Sequence, residues 1–217
     1  MKSWRLATRC CGGGRRGWQR ADSGSGRAHC AGGGTRSMRL FVGIAVEGAA
    51  RDALGAFLAQ ARQAAPHVRW EEPKALHITL QFIGAWPETR EGEVLAALGG
   101  CERTPLILKV RGLGAFPSPQ RPRVIWAGVV QLPELEALAG RVAKQLAPLG
   151  IEREARPFSR HVSLGRVGAS GDARQLRAQF DELRPVWGEV QTRGFCLYQT
   201  VPGAPRAARY EVRRRFD

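Results

Sequence analysis

The chain has 217 residues, with 34 Lys+Arg against 19 Asp+Glu and a formal net charge of +15. It contains no run of about 18 apolar residues that could cross a bilayer as a helix, and 43% hydrophobic residues is enough for a packed core, which excludes a disordered chain. Five cysteines in this length do not make a disulfide framework; Cys101 and Cys196 read as ordinary thiols of a reducing compartment, so a cytoplasmic protein with no membrane partner is expected.

Residues 1–37 stand apart. They carry eight of the cations against a single acid, Asp22, with nine of the 27 glycines and three of the five cysteines. The segment is Arg-rich and almost acid-free, like a mitochondrial leader, but its glycine runs at 12–14 and 32–34 break any amphipathic helix. Cys10, Cys11, His29 and Cys30 lack the C-x₂₋₄-C spacing of a zinc site. The expectation is a disordered basic extension, translated from upstream of a natural start at Met38. Of the 34 cations 30 are Arg, in a chain also rich in Ala and Gly, a trio that GC-rich coding sequence writes at neutral surface positions. The charge therefore accommodates a polyanion without requiring one.

From Met38 the pattern becomes regular. Residues 40–46 form a short apolar strand. Leu54, Phe57, Leu58 and Ala61 then mark one face of a helix ending near Pro66. Residues 68–70 and 77–82 read as strands. Pro87 opens a helix with Val94, Leu95 and Leu98 on its apolar face. Strands at 106–110 and 124–130 flank a Pro-rich loop at 116–122. Leu135, Leu138, Val142, Leu146 and Leu149 give a third helix. A strand follows at 161–167, and Asp172 can cap a fourth helix carrying Leu176, Phe180 and Leu183. Residues 190–198 and 210–216 close the chain as strands. Helices and strands mix without strict βαβ alternation, so the fold class is α+β with antiparallel pairing.

The chain aligns with itself at an offset of 84 residues, which brings Arg69 onto Arg153, Pro73 onto Pro157, His77 onto His161, Thr79 onto Ser163, Leu80 onto Leu164 and Gly84 onto Gly168. Two pseudo-symmetric lobes follow, each an antiparallel sheet flanked by helices, with a cleft between them. In His77-Ile78-Thr79-Leu80 and His161-Val162-Ser163-Leu164, strand alternation puts an imidazole and a hydroxyl on one face and two apolar side chains on the other. One such motif is an ordinary feature of a half-exposed strand. Two at the repeat offset, with Leu and Gly also matching, define a site. Paired imidazoles suit in-line displacement at phosphorus, where one group removes a proton and another delivers one on the opposite side. The hydroxyls can hold the non-bridging oxygens. No H-E-x-x-H motif or carboxylate cluster occurs, so neither metal nor other cofactor is expected.

Residues 38–217 resemble the two-histidine (2H) phosphoesterases with their paired H-x-[ST]-x motifs, and within them the RNA 2′,3′-cyclic phosphodiesterases, also called 2′-5′ RNA ligases. The resemblance rests on Met38-Arg39-Leu40-Phe41-Val42, on Val68-Arg69-Trp70 leading to HITLQFIG, and on Phe116-Pro117-Ser118-Pro119. It continues through Arg156-Pro157-Phe158 to HVSLGR from His161, with Ser163 where the family more often has Thr. It implies a monomeric hydrolase that opens the 2′,3′-cyclic phosphate at an RNA end, tRNA fragments being one source, to leave a 2′-phosphate. His77 would be proton donor, His161 proton acceptor, and Thr79, Ser163 and Arg166 phosphate holders. Strict alternation places Arg166 on the face opposite His161, unless Gly165 hosts a bulge. Phe158 is a candidate for stacking on a base and equally for filling the core. A non-catalytic basic RNA-binding protein, and a 2′-5′ ligase or nucleotide cyclic phosphodiesterase using the same site, are the alternatives.

Overall fold

In the computed structural model, residues 36–154, 157–168 and 185–217 are described. The expected basic extension, apart from its last two residues, and the helix expected after Asp172 lie outside them. The strands are β1 (Ser37–Ala45), β2 (Val68–Trp70), β3 (His77–Pro87), β4 (Leu106–Phe116), β5 (Val124–Val129), β6 (His161–Val167), β7 (Val186–Thr192), β8 (Phe195–Thr200) and β9 (Tyr210–Phe216). The helices are α1 (Gly48–Ala64), α2 (Glu91–Gly99) and α3 (Pro133–Leu146). This is an α+β fold built on antiparallel strands.

Three sequence expectations need correction. Pro87 ends β3 instead of opening a helix; a 3₁₀ turn at Glu88–Arg90 intervenes before α2. β4 runs on to Phe116, because its alternating buried positions continue past Val110 to Ala115. The single strand expected at 190–198 is two strands that do not pair with each other, β7 on β4 and β8 between β1 and β9: the chain turns at Arg193 and Gly194, where the Thr192 hydroxyl accepts the Gly194 amide at 3.2 Å. Apolar residues on both sides of that turn hid it.

The strands form one sheet in the order β7-β4-β5-β6-β3-β1-β8-β9, with β2 added alongside β6. The two halves of the repeat, β5–β6 and β1–β3, meet at a single antiparallel pair, Ile78 opposite Val162. These are equivalent residues of the two copies, so the pseudo-twofold axis runs between them. Because pairing stops after one residue on each strand, the halves diverge there and leave a cleft on one face. The other face carries the helices and the core. Ile78, Val162 and Leu164 are fully buried on it, along with Leu40, Ile44, Leu54, Leu58 and Leu135. α1 follows β1 yet packs on β7, and α3 follows β5 yet packs on β3, so the helices tie the halves together behind the cleft.

Each central strand carries a bulge at the same place. In β3, Thr79 pairs with Gly43 and Gln81 with Val42, leaving Leu80 without a partner. In β6, Ser163 pairs with Trp126 and Gly165 with Ile125, leaving Leu164 without one. Burial runs half-buried, buried, half-buried, buried, buried over both 77–81 and 161–165, so alternation resets after the bulge. Glycine at 165 has a steric reason: a Cβ there would lie 2.8 Å from Trp70 Cε3 and 3.0 Å from Val68 Cγ1, both on buried side chains. Gly165→Ala is expected to destabilise the fold by about 1–3 kcal/mol through overpacking. Calorimetry should register this as a melting point several degrees lower; an unchanged melting point would mean that Trp70 yields freely.

Candidate active site

The cleft has a volume of about 1040 Å³ and is lined by His77, Thr79, His161, Ser163 and Arg166, among others. Continuing the antiparallel register one residue either side of Ile78–Val162 sets His77 across from Ser163 and Thr79 across from His161. The four side chains thus form a rectangle on one face, with each imidazole facing the other copy's hydroxyl.

The two imidazoles are anchored identically. His77 Nδ1 donates to the Ala75 carbonyl at 2.7 Å, and His161 Nδ1 donates to the Ser159 carbonyl at 2.9 Å. Ala75 and Ser159 are themselves equivalent at the repeat offset. A carbonyl only accepts, so each neutral ring carries its proton on Nδ1 and leaves Nε2 as the free base. The same bond persists when the ring is protonated, which fixes its aim through a proton-transfer cycle.

The surroundings of the two rings differ. His77 lies against Phe41 (centroids 4.7 Å apart), Tyr198 (5.5 Å) and, edge-on, Tyr210 (4.9 Å). With Cys196, those three aromatics make a second apolar cluster on the cleft side of the sheet. His161 meets the edge of Phe116 at 5.1 Å and Trp126 at 6.4 Å. Burial pushes His77 down to about 4, with the charges of His161, Arg166 and Arg209 acting in the same direction and the Ala75 carbonyl opposing. Burial also lowers His161, reinforced by Arg166 and opposed by the Ser159 carbonyl. Both imidazoles are therefore neutral at neutral pH unless an anion binds beside them.

Arg166 lies in the cleft with the histidines. The bulge at Leu164 shifts the alternation by one, so Arg166, not Gly165, follows Ser163 on the open face. Its Nε is buried and has no hydrogen-bond partner. Phe158 both packs against the core and lines the cleft. His67 is exposed and outside the cleft. Cys101 and Cys196 are buried free thiols whose burial raises their pKa, so neither is a nucleophile at neutral pH.

Sequence reasoning missed several lining residues. Phe82, 58% exposed, is the counterpart of Arg166 after the matching bulge in β3, and the repeat offset alone could have singled it out. Arg206, Arg209 and Tyr210 come from the β8–β9 connection and the start of β9, which have no counterpart in the repeat. Among the described residues, Arg39, Arg69 and Arg153 complete six lining arginines, against the acids Glu71 and Glu154. Among the described residues no group of three or more His, Cys, Asp or Glu is placed to hold a metal ion, and no helix is long and apolar enough to cross a membrane.

The antiparallel curled sheet with a few helices matches LigT-like solved structures, and the family model described as LigT like Phosphoesterase matches residues 44–126. The RNA 2′,3′-cyclic phosphodiesterase of Archaeoglobus fulgidus is 33% identical over 182 residues, spanning 83% of this chain and 100% of that protein. The chain belongs to the RNA 2′,3′-cyclic phosphodiesterase family. Among solved structures, a Thermus thermophilus protein superposes with a TM-score of 0.67 at 26% identity, covering 82% of this chain and 96% of its own. Escherichia coli LigT in complex with 3′-AMP gives 0.65 at 25% identity, covering 83% and 98%.

Proposed function

We propose that the protein hydrolyses the 2′,3′-cyclic phosphate at an RNA end to a 2′-phosphate, by metal-independent acid–base catalysis between His77 and His161. The observation that carries this reading is the identical Nδ1 anchoring of the two imidazoles in one cleft, which frees both Nε2 atoms for proton transfer. His161 takes a proton from water as its oxygen attacks phosphorus. The P–O3′ bond breaks, and His77, which takes up a proton at Nε2 as the anionic phosphate binds, delivers that proton to O3′, leaving a 3′-hydroxyl beside a 2′-phosphate. Thr79 and Ser163 donate to the non-bridging oxygens, and the Arg166 guanidinium balances the charge that builds there. Guanidinium and hydroxyl groups thereby supply the stabilisation a metal would otherwise give. Phe82 and Phe158 offer apolar surface to the terminal base, and the outer arginines of the cleft attract the RNA backbone.

The test is phosphorus NMR of an RNA ending in a 2′,3′-cyclic phosphate, with and without excess EDTA. Conversion to the 2′-phosphate at the same rate in both is expected. Unchanged cyclic phosphate overturns the reading. A 3′-phosphate product overturns the leaving-group assignment, and activity lost to chelator and restored by a divalent ion overturns the metal-independent chemistry.

A further inference from the structure

One buried acid in the cleft wall has no part in that mechanism. Glu71 follows β2, is 3% exposed, and its amide donates to the Leu164 carbonyl at 2.8 Å, beside the bulge that aims Arg166. Its carboxylate faces cations: Oε1 lies 3.6 Å from Arg209 Nη1, and burial raises its pKa while the charges of Arg209, Arg166 and Arg206 oppose that rise and favour the ionised form. Arg206 is tied to the same segment, its Nη1 donating to the Trp70 carbonyl at 2.7 Å. Glu71 Oε2 is buried without a partner, as is Arg166 Nε. As a contribution to stability alone this is a poor arrangement. A carboxylate removed from water recovers its desolvation cost only with close, fully hydrogen-bonded partners. Here the nearest contact is longer than a hydrogen bond and one oxygen has none.

The arrangement makes sense for the guanidiniums instead. Arg166, Arg206 and Arg209 converge on one wall of the cleft and repel one another there. We infer that Glu71 is a positioning residue: its carboxylate sits among these guanidiniums and holds Arg209 and Arg166 turned into the wall, where they meet the phosphate. The inference rests on the reading above that Arg166 holds the phosphate. Without the acid, the same cations swing toward solvent. The cleft stays electropositive, so substrate is still drawn in, but the charge no longer lies where it builds in the transition state.

The variant is Glu71→Gln, which keeps shape and removes charge, assayed on an oligoribonucleotide ending in a 2′,3′-cyclic phosphate. Misplacing a positioned group by about 1 Å costs on the order of 10²-fold, so kcat is expected to fall about 10–10²-fold, with KM changed less than about threefold. Arg209→Met should reproduce the loss, and adding Glu71→Gln to it should cost little more, since the two act as a unit. An unchanged kcat in Glu71→Gln overturns the proposal, as does an equal loss in the presence and absence of Arg209. If Glu71→Gln does not fold, Arg209→Met decides: unchanged kcat there overturns the proposal too. A wild-type enzyme that leaves the cyclic phosphate intact refutes the underlying function instead, so the two failures are distinguishable.

Discussion

Alanine at His77 is expected to lower kcat by about 10²–10⁴, and a substrate with sulfur in place of the 3′ oxygen is expected to recover most of that loss. Thiolate departs without protonation, so it bypasses a missing general acid but not a missing general base. Alanine at His161 should cost a similar factor and show no rescue. The pseudo-twofold axis makes the motifs interchangeable in principle, but their surroundings are not. His77 is walled by Phe41, Tyr198 and Tyr210, and burial holds it down to about 4, which makes its imidazolium a strong acid that releases a proton readily once charged. Its charge must come with the substrate: the anionic cyclic phosphate pairs with the imidazolium against the burial that chiefly disfavours it, and offsets the neighbouring cations. His161 has the Phe116 edge and Trp126 beside it and stays the base. Single-turnover rates of each variant on the oxygen and sulfur substrates decide the matter. Rescue of His161→Ala in place of His77→Ala would invert the two roles. The double variant should lose little more than either single one, because the pair acts as a unit.

How much of this could be read from residue order follows from where each group sits in the repeat. The paired His/hydroxyl strands were legible because duplication wrote them twice, and strand alternation put His77 and Thr79 on one face without any knowledge of tertiary structure. Alternation then failed at Arg166, where a one-residue bulge turns the side chain to the face strict counting denies it. Bulges depend on what opposes the strand, here Trp126 and Ile125 on β5 and the Trp70 ring against Gly165, and so are set by partners distant in sequence. The wall of Glu71, Arg206, Arg209 and Tyr210 was not legible for the same reason. The β8–β9 hairpin returns to the first half of the sheet, beside β1, from the far end of the chain. No periodicity or offset encodes that return. The break between β7 and β8 was missed because local composition, not pairing, was the only guide on either side of Arg193.

Arg166→Ala is the second large effect: a fall in kcat/KM of about 10²–10³, the scale for removing one donor aimed at developing charge. Arg166→Lys is expected to recover only a small part of it, because an ammonium offers a point charge where the fork of a guanidinium can grip two oxygens at once. The geometry gives the reason. Arg166 follows Ser163 on the open face of β6, its Nε is buried and lacks a partner, and both histidines feel its charge. A buried donor without an acceptor is a cost the fold bears only if a ligand meets it. The phosphate does so, and its arrival also relieves the repulsion between Arg166 and an imidazolium at His77. Removing the guanidinium should therefore have two separable consequences: weaker holding of the phosphate, and a His77 that takes up its proton more readily in the empty site. The first appears as lost affinity for inorganic phosphate by calorimetric titration, the second as an upward movement of the His77 titration followed by imidazole NMR. If Arg166→Ala loses less than about threefold in kcat/KM and leaves phosphate affinity unchanged, the guanidinium does not reach the phosphate, and holding it falls to Arg209 together with the two hydroxyls.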